Sequence, residues 1–358
     1  MSRLKSTRLG LVIAAGSLAI LGACGGSSPS VTSDSVSTDS SSVDQNTTTT
    51  TAAVEVVVNP LTGEPAADES ILSRPAMVVK IDNHPKALPQ FGINQADIIF
   101  EENVEKLTRF AAVFHSQGSD PVGPIRSGRF QDINLLGSLN KPLFVWSGGN
   151  PQVSSAIRKS DLVDLSYTIA NTDGGFHRDS SRSAPHDLFA ETSKLWTLAP
   201  DGSGPPPQQF AYRSTSDAVP TSAQKVAGVK VSMDGVKVRW DWNATDQTFV
   251  RLQSDKPHLD PEDVQLNVRN VVILEVEYTN SYSPTSKTLG SGKVTVFTAG
   301  VAITGTWERD NRLLPFTLKD SNGAIIKLTP GRTFVEVARA DKAAIVGAGI
   351  DPADVKYP

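Results

Sequence analysis

The 358-residue chain has a single cysteine, Cys24, so no disulfide can staple it and any folded part must be held by a hydrophobic core. It is not positively charged overall. With 34 Lys and Arg against 38 Asp and Glu the net charge is −4, which removes the generic attraction that nucleic acid or anionic headgroups exert. The apolar run nearest its start, Leu9 to Leu21, has 13 residues. A permanent helical span needs about 20 residues to cover roughly 30 Å of hydrocarbon. There is no GxSxG elbow and no HExxH or HxxxH pair among the 5 histidines, so the sequence announces neither a nucleophile elbow nor a local zinc site. No metal and no cofactor is expected.

What is present begins with a leader. Arg3, Lys5 and Arg8 precede the uncharged run Leu9 to Leu21, and Leu21-Gly22-Ala23-Cys24 has the form of a lipobox, in which the cysteine thiol takes a diacylglyceryl group and becomes the new N-terminus. Two acyl chains give the double signal that stable anchoring requires. Loss of Arg3, Lys5 and Arg8 with the leader takes the net charge from −4 to −7. From Gly25 to Ala53 the chain is almost entirely Ser, Thr, Asp, Gly and Val with no aromatic residue, a composition that cannot bury enough apolar surface to offset its ordering entropy. As a flexible coil it would reach about 30 Å from the membrane.

The reading that follows is residues 1–23 as signal peptide, 24–53 as a tether, 54–199 as an α/β domain, 200–224 as a linker, 225–340 as a β-rich domain and 341–358 as a tail. In the first domain, Ala76 to Ile81, Asp97 to Phe100, Phe110 to Phe114 and Leu143 to Trp146 read as strands, and Phe130 to Leu139 and Val153 to Ile157 as helices. In the second, Val229 to Trp242 alternates around the hairpin pair Asp234-Gly235, Asn322-Gly323 marks another turn, and Asn270 to Tyr278 and Lys293 to Thr304 are long Val/Ile runs. The fold class expected is an α/β N-terminal domain followed by a mostly antiparallel β C-terminal domain, α+β overall.

Ligand sites of α/β domains lie beyond the carboxyl ends of strands, which draws attention to Asp82-Asn83-His84 after the first strand and to Ser147-Gly148-Gly149 after the fourth. Consecutive glycines before a helix suit an anion-binding nest, although a plain tight turn has the same residues. If Pro124 opens a helix, Arg126 and Arg129 fall in its first turn, where the dipole disfavours them and a negative partner is expected. That partner is either an anionic ligand or the acids Asp97, Glu101, Glu102 and Glu105 in a bracing network. The candidate ligand-binding set is therefore Asp82, Asn83, His84, Glu101, Glu105, Arg109, Arg126, Arg129, Ser147, Gly148 and His186, with Cys24 for lipidation and no catalytic assignment.

The same stretches carry a resemblance. Asn59-Pro-Leu-Thr-Gly63, Arg74-Pro-Ala-Met-Val-Val-Lys-Ile-Asp-Asn-His84, Val122-Gly-Pro-Ile-Arg-Ser-Gly-Arg129, Ala184-Pro-His186, Gly305-Thr-Trp-Glu-Arg309 and Pro330-Gly-Arg-Thr-Phe334 resemble the YerB-like family of bacterial lipoproteins, in order from about residue 56 to 338. What the resemblance implies is a two-domain architecture and an extracytoplasmic address, for a family of unknown function. The departures from its pattern fall at Ala87-Leu88, Lys106-Leu107 and Asp187.

The function expected is a lipid-anchored extracytoplasmic module, non-catalytic, that binds an anionic or glycan ligand of the cell wall or another envelope protein. Its membrane contact runs through Cys24, and nucleic acid is not a partner. The alternative is an enzyme modifying wall polymers, with Glu101 or Glu105 as acid and His84 or Asp82 as its partner.

Overall fold

The computed structural model describes residues 57–358 apart from Ala67, Thr215 and Ser222, so the expected signal peptide, Cys24 and tether lie outside the described residues. Five strands come first: β1 (Met77–Asp82), β2 (Ile98–Val104), β3 (Leu107–Phe114), β4 (Leu143–Trp146) and β5 (Val163–Ser166). Short helices are set among and after them: α1 (Phe130–Leu135), α2 (Pro151–Arg158), α3 (Tyr167–Ala170) and α4 (Thr192–Trp196), with a small ladder of β6 (His177–Arg178) and β7 (Leu188–Phe189). β1 lies antiparallel to β3 and parallel to β4, and β5 extends the parallel part, so this region is a mixed sheet with few helices.

The remaining strands are β8 (Gln224–Met233), β9 (Val236–Asn243), β10 (Thr248–Gln253), β11 (Lys256–Pro257), β12 (Asn267–Val268), β13 (Asn270–Glu275), β14 (Gly290–Thr298), β15 (Val301–Arg309), β16 (Thr317–Asp320), β17 (Thr333–Ala338) and β18 (Ala343–Gly347). Asp234-Gly235 joins β8 to β9 as the sequence predicts. The run Lys293 to Thr304 is two strands, because Ala299 and Gly300 take positive φ of 49° and 74° and close a two-residue turn that leaves the apolar pattern unbroken on either side. The hairpin expected at Asn322-Gly323 shrinks to one bridge, Lys319 to Ile325, since β16 pairs with β15 instead.

One sheet runs through both halves, in the order β11-β10-β9-β8-β15-β14-β13-β17-β2-β3-β1-β4-β5. The late strand β17 lies parallel between β13 and β2, pairing Glu336 with Glu101. The second half is therefore antiparallel except where β17 enters, and Val54–Pro358 is one compact unit. Burial on both faces explains why β1 reads Met-Val-Val-Lys-Ile-Asp with no exposed position. One face packs Val79, Ile81 and Phe110 with Trp240, Phe249 and Phe334, and the other packs Val78, Phe144 and Trp146 with Trp307 and Val335, so each core layer draws on both halves.

Two segments expected to be loose are ordered. In the stretch read as a linker, Phe210 is buried and Gln209 bonds Ser138 through both its oxygen (2.7 Å) and its nitrogen (3.2 Å). In the stretch read as a tail, β18 pairs with β8 and Lys230 donates to the Val355 carbonyl at 2.8 Å.

Candidate functional site

β1 ends at Asp82, directly opposite Arg109 of β3 in the antiparallel register. The Asp82 carboxylate is held on both oxygens. Oδ1 accepts from the His84 backbone N–H at 3.0 Å, while Oδ2 lies 2.6 Å from His186 Nδ1 and 3.1 Å from Arg126 Nε. A neutral ring at His186 would carry its proton on Nδ1, donated to Asp82, and among the described residues its Nε2 has no partner. The His84 and His186 rings stack with centroids 4.5 Å apart and planes 18° apart, and His84 Nδ1 accepts from the Lys86 N–H at 3.1 Å. Burial, His186, Lys86 and Arg126 push the His84 imidazole below its usual range, against the pull of Asp82.

Arg126 is not in a helix. Ile125 is buried and bridges Ile81, and Arg126 N–H donates to Lys80 O at 2.8 Å, so the segment is an extended rung along the end of β1. Pro124 does not open the helix, α1 starts at Phe130, and Arg129 is its N-cap, with its backbone N–H on Asp132 Oδ2 at 2.6 Å. The dipole argument for two first-turn arginines therefore fails. The packing of extended backbone against β1 brings them together instead.

Arg129 pairs with Glu105, which stands in the β2–β3 turn, and donates to Gly128 O at 2.8 Å. Arg109 donates to Ser127 O at 3.0 Å and lies 3.7 Å from Glu105. Its guanidinium is drawn down to about 10, first by burial and then by Arg129 and Arg126, with Glu105 and Asp82 opposing. Three arginines and two carboxylates thus form one electrostatic cluster. Beside it, Ser147 N–H donates to Arg126 O at 3.0 Å, the Ser127 and Ser147 hydroxyls are 3.5 Å apart, and Gly128 N–H donates to Gly148 O at 3.2 Å. Gly148 has φ of 117°, and a Cβ there would meet nothing within 4 Å, which leaves space over this edge.

Asn83 and Glu101 are not in the cluster. The pleat turns Asn83 to the opposite face from Asp82, where its amide donates to Glu101 at 3.2 Å and to Thr108 at 2.7 Å. There Glu101 is fully buried against Arg251 of β10 at 2.6 Å, beside Glu336 of β17, whose carboxyl accepts from Trp240 Nε1 at 2.9 Å. Glu101 cannot share an active site with Asp82 and His84, and the enzyme reading that pairs them is corrected on this point. A second internal network ties Lys80 to Glu102 and to Asp132, the latter at 2.8 Å, all fully buried. Sequence reasoning missed Arg251 and Glu336, and it read His258 as part of a polar turn, whereas that ring is buried against Arg251 with Nε2 2.7 Å from Gln90 Oε1. The signal was present in part: consecutive acids Glu101-Glu102 inside an apolar strand must face opposite layers, and each layer then needs its own cation. Among the described residues no group of three or more His, Cys, Asp or Glu is placed to hold a metal ion. No helix among them is long and apolar enough to cross a membrane.

The fold and these motifs define a class. Residues 61–204 match the N-terminal domain, and residues 229–335 the C-terminal domain, of the protein family of unknown function DUF3048, and the chain belongs to that family. A relative in Bacillus subtilis (strain 168), described as "Putative lipoprotein YerB", is 26% identical over 308 residues, covering 81% of this chain and 88% of its own. The crystal structure of YerB from Bacillus subtilis superposes with a TM-score of 0.71 at 21% identity, covering 81% of this chain and 99% of that one, which establishes the shared fold.

Proposed function

We propose that this protein is a lipid-anchored extracytoplasmic binding module whose ligand is anionic and sits at the edge formed by the ends of β1, β3 and β4. The observation that carries this reading is the gathering of Arg109, Arg126 and Arg129 against only two carboxylates, Asp82 and Glu105, in a partly open position. A purely structural cluster would be expected to neutralise its cations; this one leaves one positive charge over. The lipobox at Cys24 and a relative named as a lipoprotein support the anchor, and the acidic mature chain argues that the positive site is local rather than a general surface property.

The test is an anion titration of the detergent-purified full chain beside an R126M/R129M double variant. Methionine keeps most of the apolar stem of each arginine. Anion binding should be lost, with the variant's unfolding midpoint close to the wild type because Glu105 keeps partial solvent contact. A wild type that binds no anion sinks the proposal. A second reading, an enzyme acting on wall polymers, is favoured by the orientation of His186 by Asp82, which leaves Nε2 free to accept a proton. Wild-type turnover of a wall polymer that is abolished in H186Q would favour it.

A further inference from the structure

Resting on the anion-site reading, we propose that the ligand group held at this edge is a phosphate, and that it enters together with a proton taken up by the stacked His84–His186 pair. The first half of the inference comes from donor geometry. Three guanidinium groups reach the edge from β3, from the extended segment after Ile125 and from the cap of α1, with the Ser127 and Ser147 hydroxyls between them. A planar carboxylate is satisfied by one bidentate fork, whereas a tetrahedral oxyanion offers oxygens in several directions and uses donors that converge from different elements. Two of those donors are unspent. Arg126 Nε and Arg129 Nε are buried without a hydrogen-bond partner, since Arg126 faces Asp82 at 3.1 Å in poor alignment.

The second half comes from charge. With both imidazoles neutral, Arg109, Arg126 and Arg129 exceed Asp82 and Glu105 by one positive charge. Protonating the pair would add charge at rings 4.5 Å apart. Every group facing them bears on that step: Asp82 favours it, while Arg126 and Lys86 oppose it at His84, and Asp187 beside His186 is already engaged by Arg178 at 2.6 Å. In the free protein the His84 ring is therefore held below its usual imidazole range. A phosphate dianion brought against Arg126 supplies the missing negative charge, favours the imidazolium, and so couples its own binding to proton uptake.

The experiment is isothermal titration calorimetry of the full chain in detergent at pH 6.5, repeated in buffers of different ionisation enthalpy, with inorganic phosphate, sulfate and acetate. Sulfate does not itself titrate near this pH, so a proton taken up with sulfate belongs to the protein. The expected result is phosphate and sulfate binding at least about tenfold tighter than acetate, with uptake of between about half and one proton per sulfate and affinity falling up to about tenfold per pH unit as pH rises. An H84Q/H186Q variant should lose the uptake, and R126M should lose about tenfold or more in affinity. Glycerol 3-phosphate and a glycerol phosphodiester, run alongside, separate sources: binding of inorganic phosphate alone assigns a free ion, and equal or tighter binding of the diester assigns a polymer backbone. Acetate binding as well as phosphate overturns the phosphate assignment and leaves the anion site standing. Oxyanion binding without proton uptake overturns the coupling. Binding of none of the three overturns both this inference and the anion site beneath it.

Discussion

Replacing Arg251 by methionine removes the cation that faces two carboxyl groups in the interior between β2, β10 and β17. Arg251, Glu101 and Glu336 are all fully buried, and Glu101 and Glu336 are register partners on parallel strands. Burial and the neighbouring Glu101 push the Glu336 carboxyl well above the usual carboxylate range, with Arg251 opposing, so the two carboxyl groups depend on one guanidinium. R251M leaves the Glu101 carboxylate buried and uncompensated, a change that costs about 3–5 kcal/mol. That is a large share of the roughly 5–15 kcal/mol of a typical folded unit. E336Q, by contrast, puts an isosteric amide where the carboxyl stands, keeps an oxygen that accepts from Trp240 and removes the repulsion with Glu101, and should cost under about 1 kcal/mol. The R251M/E101Q double variant should recover about 2 kcal/mol or more of the single R251M loss. Trp240 touches Glu336 and is one of 5 tryptophans, so tryptophan emission during urea unfolding follows the loss of the fold that encloses the site. If R251M unfolds within about 1 kcal/mol of the wild type, or E336Q is as damaging as R251M, the reliance of both carboxyl groups on Arg251 is wrong.

The strand ends and the polar residues after them were legible because continuous β-branched apolar runs, the mark of strands buried on both faces, survive without tertiary information. Asp82, His84, Arg109, Arg126 and Arg129 do come to one edge. The reason they do so was misread. The helix inferred from Pro124 rested on local propensity, and the buried side chain of Ile125 with its backbone pairing to β1 overrides it. Neither Asn83 nor Glu101 could be sorted by proximity in sequence, because one step along a pleat reverses the face. The continuity of the sheet was hidden for a different reason. The insertion of β17 between β13 and β2 joins residues separated by more than two hundred positions, and no local pattern records such a pairing. A Pro/Gly-rich stretch therefore read as a linker, although Phe210 and Gln209 within it are buried.

Three further outcomes are expected. C24A should abolish incorporation of radiolabelled fatty acid in the expressing bacterium, and equal labelling of wild type and variant would remove the lipobox. His115 is buried, with Nε2 3.2 Å from Arg74 O, and burial with the adjacent Arg74 lowers its imidazole to about 4. Since the unfolded chain binds that proton near 6.5, the wild type should lose about 3 kcal/mol relative to H115Q as pH falls from about 6.5 through 4, measured by denaturation at each pH. Parallel pH profiles would refute the assignment. The last outcome concerns residues 341–358, read from sequence as a tail. β18 pairs with β8 from Ala343 to Gly347, Val346 is fully buried, and the segment beyond it returns Tyr357 to Asp255 at 2.9 Å. Truncation after Ala340 exposes the edge of β8 and removes the buried Val346, whose burial alone is worth about 1.5 kcal/mol, with the lost ladder hydrogen bonds added to it. The truncated chain should unfold at least about 2 kcal/mol earlier in urea and should self-associate through the newly open strand, seen as concentration-dependent sedimentation. A truncation that leaves both stability and sedimentation unchanged would show that the C-terminal strand is bound too weakly to count as part of the sheet.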